Sequence, residues 1–331
     1  MSSAQAITVI GGSGFVGTRL CGLLTELGIQ FNILDIKQSR AYPNVTTIVD
    51  ICDLDALMHS QINGVVIHLA AVHRDDVQDK AEYDRVNVQG TENVCRAADH
   101  HGAQYIVFTS TVAVYGFADV DTDETGDCRP FNDYGRTKLE AEKILHSWKQ
   151  GALTKQLAIV RPTVIFGEGN RGNVYNLLKQ IASGMFVMIG NGQNKKSLAY
   201  VGNVAAFLEF LARKPPAQST INYIDKPDVT MVELVSQVRY KLTGKATSGL
   251  RLPYTAGLIA GHIFDVVARA TNRTFPISAI RVKKFCSDSA FATAKACTGF
   301  KAPYSLQEGL DSTIDAEFIN PDKNRTIFYT E

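Results

Sequence analysis

The sequence predicts an α/β protein, a doubly wound parallel sheet followed by a smaller C-terminal α/β lobe. Three observations carry that expectation. Short β-branched runs alternate with amphipathic stretches through the first 165 residues. The runs are apolar almost throughout, as in strands covered on both faces. The alternation stops near "FGEGNRGN" (166–173), where glycine and asparagine mark loops.

The expected strands are "AITVI" (6–10), "FNILD" (31–35), "TTIVD" (46–50), "GVVIHLAA" (64–71), "QYIVFTS" (104–110) and "QLAIVRP" (156–162). Between them "FVGTRLCGLLTELG", "YDRVNVQGTENVCRAADHHG" and "DYGRTKLEAEKILHSWKQ" have helical periodicity. The reading therefore gives one unit at 1–165 and a second at 166–331, with helices and only sparse strands. No Pro- or Ser-rich spacer divides them, so the chain is expected to cross between the two more than once.

A formal net charge of +1 in 331 residues creates no global field, which argues against a nucleic-acid partner. Six cysteines without a C-x-x-C pair fit a reducing compartment, and seven histidines without a ligand-like spacing give no metal site. The N-terminus has no basic region followed by a cleavage site, so a cytoplasmic protein is expected. "PYTAGLIAGHIFDVVARA" is interrupted by His262 and Asp265 and is too short in its apolar run to span a bilayer. It reads as a buried or interfacial helix.

"ITVIGGSGFVGTRL" places Gly11, Gly14 and Gly17 directly after a strand and at the start of a helix, with Phe15 and Val16 in its first turn. Glycines there permit a tight turn and close approach of a pyrophosphate to a helix N-terminus. Asp35 ends the second strand, 24 positions after Gly11. Its carboxylate would accept from a ribose and repel a 2′-phosphate, which favours NAD over NADP. In "NDYGRTKLEAEK" (132–143), Tyr134 and Lys138 are four apart on one helix face. An ammonium there would lower the phenol pKa toward acid/base work near neutrality.

The glycine spacing together with "DYGRTK" resembles the short-chain dehydrogenase/reductase superfamily, specifically its extended branch of NAD-dependent nucleotide-sugar epimerases and dehydratases. The resemblance covers nearly the whole chain and implies a Rossmann-type NAD domain. It puts Asp53 and Leu54 of "DICDLD" at the adenine, and Leu69, Ala70 and Ala71 along the cofactor. Asn87, Thr109 and Pro162 of "RPTVIFG" join the cofactor set. It makes Thr111 of "FTSTVAVYG" the catalytic hydroxyl, with Ser110 also at the substrate. Tyr134 would exchange the substrate proton while Lys138 holds the nicotinamide ribose. Lys196, where the family has arginine, and Arg281 would meet a substrate diphosphate, with Lys283 and Lys284 as rivals.

The implied substrate is a nucleoside-diphosphate hexose or N-acetylhexosamine. Related dehydratases carry an Asp-Glu pair after the catalytic threonine; Val112 and Ala113 stand here, which disfavours elimination. What remains is hydride chemistry at C4. The leading expectation is 4-epimerisation for surface polysaccharides; a 4-keto sugar reductase, a 3β-hydroxysteroid-type dehydrogenase and a non-catalytic dinucleotide sensor are the alternatives. The resemblance further implies a homodimer through the helices of "YDRVNVQGTENV" and "TKLEAEKIL".

Overall fold

The computed structural model describes residues 6–74, 77–271 and 278–330. Six strands follow the expected order: β1 (Ile7–Ile10), β2 (Phe31–Asp35), β3 (Thr46–Ile48), β4 (Val65–His68), β5 (Tyr105–Thr109) and β6 (Gln156–Pro162). Short pairs outside the main sheet involve β7 (Val164–Phe166), β8 (Met188–Ile189), β9 (Lys195–Lys196) and β10 (Leu198–Tyr200). The chain then returns with β11 (Thr220–Tyr223), which pairs with β6. The resulting seven-stranded sheet is parallel throughout, in the order β11-β6-β5-β4-β1-β2-β3. The direction of winding reverses between β1 and β4, and the crevice at such a switch point is where open α/β sheets bind ligands.

Alternation along the strands separates two cores. Val9, Val65, Ile67 and Val107 face α1 (Phe15–Glu26), through Leu20 and Leu24. Ile10, Val66, Ile106 and Phe108 face the other helix layer. That layer comprises α2 (Leu54–His59), α3 (Ala81–Tyr83), which runs through a π-helical stretch into α4 (Gly90–His100), and α5 (Asp133–Gln150). Each fully buried side chain of this kind contributes roughly 1.5–3 kcal/mol.

The C-terminal half supplies α6 (Asn173–Ala182), α7 (Val201–Arg213), α8 (Met231–Thr243), α9 (Tyr254–Thr271), α10 (Ala279–Cys286) and α11 (Leu306–Ile314). Helix α7 joins α1 on the sheet through Val204, Phe207 and Leu208. Helices α6, α8 and α11 enclose a third core built on Leu178, Leu234, Val238 and Leu310. Capping boxes at Thr230–Glu233 and Ser305–Glu308 start α8 and α11. Among the described residues no helix is long and apolar enough to cross a membrane.

Candidate active site

The turn after β1 is built for close backbone approach. Gly11 has φ +84°, and a Cβ there would lie 2.5 Å from the Ala70 nitrogen. A Cβ on Gly17 would lie 2.6 Å from the Gly11 oxygen, so α1 starts tight against the turn. Gly14 precedes α1 with no side-chain cap, which leaves first-turn N–H groups for an anion. Phe15 and Val16 are partly buried and pack against the C-terminal core, Val16 also against the core under α1. Asp35 accepts from Ser13 N at 2.9 Å and Lys37 N at 3.0 Å, which fixes its carboxylate beside the turn.

The flanking residues are less uniform. Asp53 caps α2 by accepting from Ala56 N at 3.0 Å, with Leu54 as the first helical residue. Leu69 and Ala70 both donate to the Ile10 carbonyl, at 2.8 and 3.1 Å, and lead into Ala71. Asn87 packs between the loop after β4 and α5. Its carboxamide accepts from Val72 N and donates to Val72 O and Thr137 Oγ1, so it ties the two together, with one lone pair of Oδ1 still open to a further donor.

Three buried side-chain atoms among the described residues have no hydrogen-bond partner: His68 Nδ1, Thr109 Oγ1 and Thr163 Oγ1. They stand at the carboxyl ends of the adjacent strands β4, β5 and β6, the last directly after Pro162. Buried unpaired polar atoms are costly and rare. A row of them at the switch-point edge fits a ligand rich in hydroxyls and phosphates, as a dinucleotide is. Burial pushes the His68 imidazole down to about 3, with a smaller push from Lys138, so it is neutral.

Asn132 caps α5 by accepting from Gly135 N at 2.9 Å. Gly135 lets the first turn of α5 press on the preceding loop, since a Cβ would come within 2.5 Å of the Ala113 oxygen. That approach sets Tyr134 beside Thr111, whose hydroxyl pulls the phenol pKa down. One turn on, Lys138 is 1% exposed, with Nζ 3.9 Å from the Phe108 ring centre. Among the described residues it forms no ion pair.

The electrostatics reverse one expectation. Burial raises the Tyr134 phenol to about 12, against the downward pull of Thr111. Burial also brings Lys138 down to about 7, with Glu142 pulling the other way. In the protein alone, therefore, the lysine does not lower the tyrosine: its own ammonium is desolvated and partly deprotonated at neutral pH.

A stability prediction follows from that shift. The folded pKa of Lys138 lies below its unfolded 10.5, so the unfolded chain binds more protons between about 7 and 10.5. Stability therefore rises with pH across that window. In dinucleotide-free protein, thermal melts from pH 7 to 8.5 should show the melting temperature increasing. Lys138→Met should flatten the slope and melt higher at pH 7; an unchanged slope contradicts the buried-cation account.

Other expected residues lie elsewhere. Ser110 is 2% exposed and donates to Glu142 in the core. Glu142 in turn holds buried Arg161 through two hydrogen bonds of 2.9 and 2.6 Å, and Arg161 donates to Tyr115 at 2.7 Å. Lys196 Nζ donates to the carbonyls of Lys284 and Ser287 at the end of α10. Arg281 is exposed on α10. A cleft of about 880 Å³ beside it is lined by Arg251, Tyr254, Lys283 and Ser287 among others, so Lys283 is the α10 cation at that cavity.

Two features escaped the sequence reading. The His73 ring lies 6.5 Å from the Tyr134 ring, and its imidazole is lowered by burial. Phe117 and Phe131 stack at 4.8 Å, with Lys284 Nζ 4.6 Å from the Phe131 ring centre. The signal for the second was the Phe131–Asn132–Asp133–Tyr134 continuity, which leads α10 to the catalytic helix.

Comparison with known proteins agrees with the fold. The model of the NAD dependent epimerase/dehydratase family matches residues 7–223. N-acetyl-alpha-D-glucosaminyl-diphospho-ditrans,octacis-undecaprenol 4-epimerase of Escherichia coli O157:H7 is 46% identical over 331 residues, covering 98% of this chain and 99% of the relative. UDP-glucose 4-epimerase of Vibrio cholerae is 27% identical, covering 94% and 95%. The structure of UDP-N-acetylglucosamine 4-epimerase from Bacillus cereus superposes with a TM-score of 0.73 at 18% identity, over 94% of this chain and 98% of that one, and shares the fold.

Proposed function

The chain belongs to the NAD dependent epimerase/dehydratase family, and from that footing we propose that it inverts C4 of an N-acetylglucosamine carried on a polyprenyl diphosphate, in the synthesis of a surface-polysaccharide precursor. NAD is its cofactor, and when bound it would supply the hydride acceptor and donor for inversion at C4. Gly14, the first turn of α1 and Asp35 would hold its pyrophosphate and ribose, and Thr109 and Lys138 its nicotinamide end.

The observation that carries the reading is the seating of Tyr134 against Thr111 with buried Lys138 one turn on. Tyr134 takes the proton of the 4-hydroxyl as the carbon is oxidised and restores it after the sugar has turned. Thr111 hydrogen-bonds the reacting oxygen and limits its approach to one geometry. A protonated Lys138 favours the phenolate, and the positive charge of bound NAD would act in the same direction. Val112 and Ala113 provide no second acid or base, so the ketone is reduced rather than dehydrated. The diphospho-polyprenyl carrier follows the E. coli relative, similar from end to end.

The test uses purified protein with no cofactor added. One sample receives detergent-dispersed polyprenyl-diphospho-N-acetylglucosamine and another UDP-N-acetylglucosamine; the released sugars are then separated. N-acetylgalactosamine is expected from the lipid-linked substrate. Its formation from the UDP sugar alone would return the carrier to a nucleotide. Conversion of neither would remove the 4-epimerase reading and favour reduction of a 4-keto sugar. The reading also takes the enzyme as a cytoplasmic homodimer paired through the outward faces of α4 and α5, where Arg96 and Lys143 are exposed.

A further inference from the structure

We infer that α9 and its flanking cations form a docking face for an anionic phospholipid surface, and that this chain works lying on a membrane rather than crossing one. The inference deepens the lipid-linked reading and rests on it for its purpose. Its physical basis is the inverted amphipathicity of α9. The face turned to the protein is lined by glycine: a Cβ on Gly257 would meet Ile189 at 2.6 Å, and one on Gly261 would meet the Ala279 nitrogen at 2.7 Å. The outward face carries Ile259, Ile263 and Val266, which are 61, 58 and 64% exposed.

These positions follow the i, i+4, i+7 spacing of one helical stripe. A helix facing water normally sets charge there. Here the one acid in the helix, Asp265, is turned inward and accepts from Ala279 N at 3.1 Å, at the start of α10. Leu250 and Ile280, 76 and 54% exposed, extend the apolar surface on neighbouring segments.

Charge supplies the second argument. Residues 245–284 contain seven lysines and arginines and one aspartate, in a chain whose net charge is only +1. Lys245, Arg251, Lys283 and Lys284 are exposed. An apolar stripe edged with cations is the pattern that settles into the headgroup layer of an acidic bilayer. At 18 residues, α9 is about 27 Å long, and it does not qualify as a membrane span.

The position also suits delivery of a lipid-anchored sugar. The large cleft opens at the N-terminus of α9, where Leu252, Pro253 and Tyr254 meet Arg251 and Lys283. From there α10 reaches the catalytic helix through the contact of Lys284 with Phe131. A diphosphate entering from the bilayer would meet cations before its sugar reached Tyr134.

Vesicle co-sedimentation tests the face. The full-length protein should bind vesicles of phosphatidylethanolamine and phosphatidylglycerol, bind phosphatidylcholine vesicles far less, and be released by high salt. The triple variant Ile259→Gln, Ile263→Gln, Val266→Gln should lose about tenfold or more in partitioning. Ile259→Trp gives a second readout, because Trp148 is the only tryptophan and is buried. Its emission should shift to the blue on adding acidic vesicles.

Unchanged vesicle binding by the triple variant, or an unshifted Ile259→Trp spectrum, overturns the inference. So does a change in the sedimentation coefficient of the triple variant without vesicles, which would make the stripe a contact between protein copies. Epimerisation of detergent-dispersed lipid-linked sugar is measured in parallel. Activity without vesicle binding removes the docking face and keeps the function; vesicle binding lost in the triple variant, without activity, does the reverse.

Discussion

Replacing Tyr134 with phenylalanine is expected to lower kcat by roughly 10³-fold, within the ~10²–10⁴ range of a positioned acid/base, with little change in fold. That factor corresponds to about 4 kcal/mol of transition-state stabilisation. The substitution keeps the ring, so its packing beside His73 is retained. It removes the hydroxyl that lies beside Thr111, and with it the proposed proton acceptor for the 4-hydroxyl. Thr111 cannot take over, because its oxygen already accepts from Ala113 N at 3.1 Å and an alcohol is a poor base. Rates of N-acetylgalactosamine formation, bound NAD and a thermal melt should be measured together. A fall of less than tenfold with the melt unchanged would assign the proton transfer elsewhere, with His73 the first group to examine.

The sheet was legible because each strand's pattern reports burial on both faces, and that signal needs no knowledge of the partner. Strands β1, β2, β5 and β6 fall within a residue of their expected limits, and α5 covers the expected 133–150. Strand β11 was not foreseen: it is four residues long and contains Asn222, which is buried and hydrogen-bonded to Tyr115. A polar residue in so short a run hides its periodicity. The Tyr134–Lys138 pair was legible from spacing, but its electrostatics were not. Desolvation depends on Phe108 and the packed loop beneath α5, which no local spacing records. Ser110 and Asn87 illustrate the same limit, since their partners Glu142 and Thr137 lie 32 and 50 residues away. Glu142 was within reach of inspection, because it lies four residues after Lys138 on the same helix face. In "KLEAEK" it reads as a solvated charge, yet it is 2% exposed.

That buried glutamate gives the largest expected effect on stability. Glu142→Ala should cost about 3–5 kcal/mol, because removing one partner of a buried pair strands the other charge. Arg161 is 6% exposed, and Tyr115 would be its one remaining side-chain partner among the hydrogen bonds recorded for it. Against a typical net stability of about 5–15 kcal/mol, the loss is large enough to show as a sharp fall in melting temperature. Activity should fall too, since Ser110 loses its acceptor and is the residue next to Thr111. A second variant separates the stranded charge from the cavity. Glu142→Leu combined with Arg161→Met replaces both ions with apolar chains and should recover much of the loss, as buried pairs often tolerate such exchange. Its kcat should stay low if Ser110 orients the loop that carries Thr111. A double variant no more stable than Glu142→Ala would mean the cost lies in lost packing rather than in an unpaired guanidinium. Full activity in the double variant would show that the network supports the fold without positioning the catalytic threonine.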